Sequence, residues 1–167
     1  MTDKSSFTPD EWKTLMESVM ATGVAVSAAE PSGLWGMMKE GFASAAALSE
    51  AKSKPDGNPL IKAIVDDFVT SEGRQSVQSG LKEKFKGAQA ADVKERAIDL
   101  LRQASAIVDA KAPQDAPAFK GWLQQLSQRV ADAAKEGGFL GFGGVQVSDA
   151  EKATLSEISH ALETSKV

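Results

Sequence analysis

The sequence predicts an all-α fold, a single-domain bundle of six to seven short antiparallel helices. Three observations predict it. Apolar residues recur at steps of three and four along most of the chain. The segments marked in this way open on capping residues and stop at glycine or proline. The only alternating run, Val145-Gln146-Val147, is too short for a strand. A chain of 167 residues fits one domain. At that size about 70% of the unfolded surface is buried on folding, enough for one self-sufficient core.

The first helix opens at Thr8-Pro9-Asp10-Glu11, with a capping threonine, proline at the first helical position and glutamate at the third. Residues 1–7 before it read as a flexible N-terminus. Trp12, Leu15, Met16, Val19, Met20 and Val24 form one buried stripe, broken at Glu30-Pro31-Ser32-Gly33. A second helix starts near Ser32, with Leu34, Trp35, Met38, Phe42, Ala45 and Ala46 as its stripe, and Lys54-Pro55-Asp56-Gly57 ends it. Asn58-Pro59 then caps a third helix lined by Leu60, Ile61, Ile64, Val65 and Phe68, with a boundary at Ser71-Glu72-Gly73. Val77, Leu81 and Phe85 mark a weaker fourth helix. Gly80 costs it about 1 kcal/mol relative to alanine, and Gly87 stops it.

The fifth helix spans about Ala91–Lys111 on Val93, Ala97, Leu100, Leu101, Ala104, Ile107 and Val108. After a linker at Pro113–Pro117, the sixth carries Phe119, Trp122, Leu123, Leu126, Val130 and Ala134 up to a glycine stop at Gly137-Gly138. Ser148-Asp149-Ala150-Glu151 is a second capping box, and Leu155, Ile158 and Leu162 define the seventh helix.

Composition narrows the function classes. With no cysteine, there is no disulfide, no thiolate catalysis and no Fe–S or thiolate-zinc site. With no tyrosine and one histidine, general acids and bases reduce to carboxylates, lysines and His160. The net charge of −4 repels nucleic acid and anionic membranes at long range. The acid excess lies in residues 1–80, which hold 7 basic and 11 acidic residues. The basic cluster Lys82, Lys84 and Lys86, interrupted by Glu83, reads as a solvated helix end. No run approaches the roughly 20 apolar residues of a membrane span. Leu15–Ala29 superficially resembles a leader's apolar run, but Asp10 and Glu11 precede it and Glu17 interrupts it. The expected location is therefore the cytoplasm.

Four features bear on function. Residues 137–147 hold five glycines interleaved with Phe139, Leu140, Phe142, Val145 and Val147. No lysine or arginine lies between Gly137 and Glu151, and Asp149 and Glu151 already occupy the next helix's positive end, which argues against a phosphate cradle. Two readings stay open. In one the apolar side chains plug the core. In the other Phe139, Leu140, Phe142 and Val145 form an exposed tip for a protein partner or a second copy. The second feature is acidic: Asp66, Asp67 and Glu72, and separately Asp149 and Glu151, are candidate ligands for a hard divalent cation, though their spacing is not that of an EF-hand. The third, His160, stands on a helix with Leu155, Ile158 and Leu162 and is expected at the bundle edge. The fourth is a set of tryptophans. Trp12, Trp35 and Trp122 lie on apolar stripes, where they pack in the core or, with Met16, Met37 and Met38, line a cavity for a small ligand.

Phe7 to Gly33, through Glu11-Trp12 and Pro31-Ser32-Gly33, and Gly137 to Ile158 resemble uncharacterised all-helical bacterial proteins. In size, helix content and acidity the chain more distantly resembles the TerB-like helical family of tellurite resistance. That resemblance implies acidic metal-binding positions and membrane-linked stress systems, and it carries no residue over by motif. The residues point first to a non-enzymatic, self-associating bacterial cytoplasmic interaction or structural protein that needs no cofactor. The alternative is a small-ligand- or divalent-metal-binding stress-response protein. A hydrolase working by carboxylates alone has only the acids behind it.

Overall fold

The computed structural model describes residues 2–28, 57–136 and 148–163. These form a helical bundle of α1 (Pro9–Ala28), α2 (Pro59–Phe68), α3 (Ser71–Lys84), α4 (Ala90–Lys111), α5 (Ala116–Glu136) and α6 (Asp149–Glu163). No strand occurs among the described residues. The helix expected from Ser32 to Lys54, and with it Trp35, Met37 and Met38, lies outside them. Nor are the helices uniformly short: α1, α4 and α5 run to 20, 22 and 21 residues.

The capping chemistry forms as the sequence predicts. Thr8 Oγ1 accepts from the Glu11 amide at 3.2 Å, and Glu11 Oε2 accepts from the Thr8 amide at 2.8 Å. Ser148 and Glu151 repeat this reciprocal pair at 3.1 and 2.8 Å. Asn58 Oδ1 accepts from the Leu60 and Ile61 amides. Its Nδ2 donates to Asp115 Oδ1 at 2.6 Å, which ties the start of α2 to the residue before α5. Each of these side chains satisfies backbone donors that the first helical turn leaves orphaned.

α1 is the centre of the bundle and packs against all five other helices, most extensively against α4 and α5. Its expected single stripe is too narrow a description. Residues 15–19 and 21–26 are all buried, so the helix is enclosed nearly all round. Small residues make this feasible: Ser18, Ala21, Thr22, Gly23 and Ala25 let neighbouring helices approach closely. The two hydroxyls cost little, because Ser18 Oγ and Thr22 Oγ1 donate to the Leu15 and Val19 carbonyls at 2.6 and 2.7 Å.

Around α1, the described residues share one hydrophobic core. α2 contributes Leu60, Ile64, Val65 and Phe68, α4 Ile98, Leu100, Leu101 and Val108, α5 Phe119, Trp122, Leu123 and Leu126, and α6 Ile158 and Leu162. Three local readings change. The segment before α1 is built into the bundle: Lys4–Ser6 form a 3-10 turn, Phe7 is buried against Trp12, and Lys4 Nζ reaches Asp67 at 2.8 Å. The boundary expected at Ser71–Gly73 falls at Val69-Thr70, since Thr70 Oγ1 caps α3 by accepting from the Gly73 amide at 2.9 Å. Pro117, expected in a linker, stands in the first turn of α5. Gly87 does follow α3 with φ +70°, a conformation that favours glycine.

Candidate functional site

The last turns of α4 and α6 and the first turns of α5 enclose an open cleft of about 710 Å³. Asp109, Lys120, Gly121, Gln124, His160 and Glu163 contribute to its lining. Its geometry is held from below: Ser105 Oγ on α4 donates to the Leu162 carbonyl at 3.0 Å, docking the end of α6. Within the cleft Lys120 Nζ pairs with Asp109 Oδ2 at 2.6 Å, and Gln124 Nε2 donates to Ser159 Oγ at 3.3 Å. An ammonium, carboxylates, an amide and an imidazole thus converge from three helices on a space in the size range of small-molecule pockets. His160 stands exposed on this rim, at the bundle edge as expected. Asp109, Lys120 and Gln124 were not legible as a site. They are far apart in sequence from His160 and Glu163, and only helix packing brings them together.

The five acidic candidates separate into two places, and two of the five have structural duties. Asp67 Oδ2 accepts from Trp12 Nε1 at 2.7 Å and from Lys4 Nζ at 2.8 Å. Burial alone would raise its pKa, but the hydrogen bonds from Lys4 and Trp12 and the Lys4 charge together hold it below the ordinary carboxylate value. Asp66 and Glu72 are exposed nearby at the α2–α3 corner. At the start of α6, Glu151 is consumed in its capping box, and exposed Asp149 stands 3.6 Å from Lys152. No group of three or more histidine or acidic residues that could hold a metal ion occurs among the described residues.

The most unusual carboxylate is the one that interrupts the apolar run of α1. Glu17, in the middle of α1, is 0% exposed. Its Oε2 accepts from Lys84 Nζ at the end of α3. Its Oε1 has no hydrogen-bond partner among the described residues, and Lys13 Nζ lies 4.0 Å away. Lys84 keeps the exposed position expected of it, and its ammonium reaches the buried charge from the surface. Gly80 makes room for it: a Cβ there would fall 1.8 Å from Glu17 Oε1 and 2.5 Å from Lys13 Cε. The helix propensity that Gly80 forfeits thus goes into close approach.

Trp12 and Trp122 pack in the core as expected, the latter beside Phe119. The partner-binding candidates Phe139, Leu140, Phe142 and Val145 lie outside the described residues. No helix among the described residues is long and apolar enough to cross a membrane. Comparison with protein-family models, curated proteins and solved structures gives no match.

Proposed function

We propose that the chain is a non-enzymatic interaction protein of the bacterial cytoplasm, a helical bundle that associates with a second copy of itself through the segment joining α5 to α6. One observation carries this reading. The apolar side chains of the described residues go into the core, leaving Val69, at 48%, as the exposed large hydrophobic among them. An apolar docking surface therefore has to come largely from elsewhere in the chain. The segment from Phe139 to Val147 concentrates apolar side chains without a single cation. Antiparallel packing of sequential helices and a bacterial cytoplasmic setting belong to the same reading. The first rests on short connections, the second on the resemblance of Phe7–Gly33 and Gly137–Ile158 to bacterial helical proteins.

Native mass spectrometry and sedimentation test it. The wild type is expected to be dimeric or larger, and Phe139→Asp with Phe142→Asp to be monomeric with unchanged helical circular dichroism and Tm. A monomeric wild type overturns self-association. A double variant that unfolds assigns the segment to the core instead.

A second reading, a small-ligand-binding stress protein in the sense of the TerB-like resemblance, is favoured by the cleft around Lys120 and His160. A ligand at 100 times its Kd stabilises the native state by about 2.7 kcal/mol. The expected result is a raised Tm with a member of a metabolite panel, abolished by Lys120→Ala. Ca²⁺, Mg²⁺, Mn²⁺ and Zn²⁺ in the same panel test the metal version, and no shift with any compound or cation ends this reading.

A further inference from the structure

Beneath α3 the buried carboxylate of Glu17 pairs with the half-exposed Lys84. α3 is the most weakly embedded helix. Of its fourteen residues only Gly73, Val77, Gly80 and Leu81 are buried, and two of those have no side chain. The remaining ten are exposed, so no helix among the described residues covers its outer face. It packs chiefly on α1 and α2. Segments with few buried apolar side chains open at lower free energy than the core around them.

Its two ends are held differently. At the first turn, Thr70 Oγ1 donates to the Asp67 carbonyl at 2.7 Å and accepts from the Gly73 amide at 2.9 Å. There Gly73 presses directly on the end of α2. At the last turn Leu81 is buried and Phe85, just beyond, packs against the core, and two polar ties join them: Lys84 Nζ to the buried Glu17 on α1, and the Lys84 carbonyl accepting from Arg96 Nη1 on α4 at 2.7 Å. Beyond lies Gly87, in the left-handed region with open space around it. One end is a packed corner against backbone; the other adds a polar fastening to the buried Leu81, next to a permissive joint.

The carboxylate makes that fastening reversible. A buried carboxylate has lost its hydration, and its ion pair only partly offsets the loss. One Glu17 oxygen does not even gain a hydrogen bond among the described residues. When α3 lifts, water returns to Glu17, so the open state costs less than it would over an apolar residue. We propose that α3 is a flap that pivots on the Thr70–Gly73 corner, fastened at its far end by the Glu17–Lys84 pair, and that its opening uncovers the Glu17 carboxylate and the adjoining face of α1.

Hydrogen exchange read by mass spectrometry across sub-denaturing guanidinium tests this on the full chain. In the wild type, α3 amides are expected to exchange through an opening separate from that of α1 and α4. Lys84→Met leaves the buried Glu17 with only the Lys13 ammonium, 4.0 Å from its other oxygen. It should speed α3 exchange roughly tenfold or more, a broken buried pair discounted for a half-exposed lysine, with α4 exchange little changed. Adding Glu17→Gln to Lys84→Met removes the stranded charge and should bring α3 back toward the wild-type rate. Exchange of α3 in step with α1 and α4 in the wild type overturns the proposal, whether or not the variants fold. So does a double variant as fast as Lys84→Met alone.

Discussion

Replacing Trp12 with alanine is expected to lower the unfolding free energy by about 3–5 kcal/mol, the cost of emptying a large aromatic site in a packed core. The residue is 3% exposed, packs its ring 5.7 Å from that of Phe7, and donates its indole N–H to Asp67 on α2. One side chain thus joins the N-terminal segment, the central helix and the end of α2. Against a total stability of roughly 5–15 kcal/mol, such a loss should be plain in chemical denaturation. Trp12→Phe narrows the loss to the donor and a small part of the ring, since it keeps most of the apolar area. A hydrogen bond to a charged group is worth about 1.5–3 kcal/mol.

The pH dependence supplies an internal check. Asp67 has a folded pKa below its ordinary value of 3.8, so its interactions contribute stability that is full above that value and lost as pH falls through the lower folded one. The indole helps to hold that pKa down. The gap between wild type and Trp12→Phe should therefore be wider at pH 7 than in acid below the folded pKa. A gap that stays constant across that range would mean the indole bond contributes nothing specific to the ionised carboxylate.

Helix existence was legible because its chemistry is local. Thr8 with Glu11, Asn58 with Leu60, and Ser148 with Glu151 all lie within three residues of each other, and their hydrogen bonds form as the spacing implies. The ends of α4 and the start of α2 were legible for the same reason. Enclosure was not. The 3.6-residue period distinguishes an apolar face from a polar one, but α1 has no polar face along its middle. A row of serine, threonine, glycine and alanine looks neutral until the helices around it are in place.

The polar features were legible in proportion to their range. Asp67 looked like one member of an acid cluster because its partners, Trp12 and Lys4, are 55 and 63 positions away. Glu17 and Lys84 are 67 positions apart, so no local pattern announces the pair. One hint was present: a carboxylate interrupting an apolar run must be paired or solvated, and Glu17 follows Met16 and precedes Val19, both on the buried stripe. The cleft is a long-range feature too, built from the ends of three helices. By contrast, Glu151 was legible as a cap from its own neighbourhood, and its capping role explains its burial without a metal.

Gly73 poses the sharpest conflict between local propensity and packing. It lies in the first turn of α3, where alanine is favoured over glycine by up to about 1 kcal/mol. Propensity therefore predicts that Gly73→Ala stabilises the protein. The packing predicts the opposite. A Cβ at this position would lie 2.1 Å from the Asp67 carbonyl oxygen and 2.9 Å from its carbon. These are backbone atoms at the end of α2, which cannot swing aside as a side chain does. Moving them disturbs the residue whose carboxylate receives Trp12, and it disturbs the Thr70 cap as well. Overpacking of this kind costs roughly 1–3 kcal/mol, occasionally more, and a rigid backbone neighbour puts Gly73→Ala at the upper end. Denaturant unfolding should show a lower midpoint with an unchanged slope, and exchange should quicken first at the α2–α3 corner. Gly80→Ala is the companion measurement. Its obstacles are the ends of the Glu17 and Lys13 side chains, which can yield where a carbonyl cannot. Gly80→Ala should therefore be the milder of the two, and the opposite order would mean that the Glu17 carboxylate is held more rigidly than the end of α2.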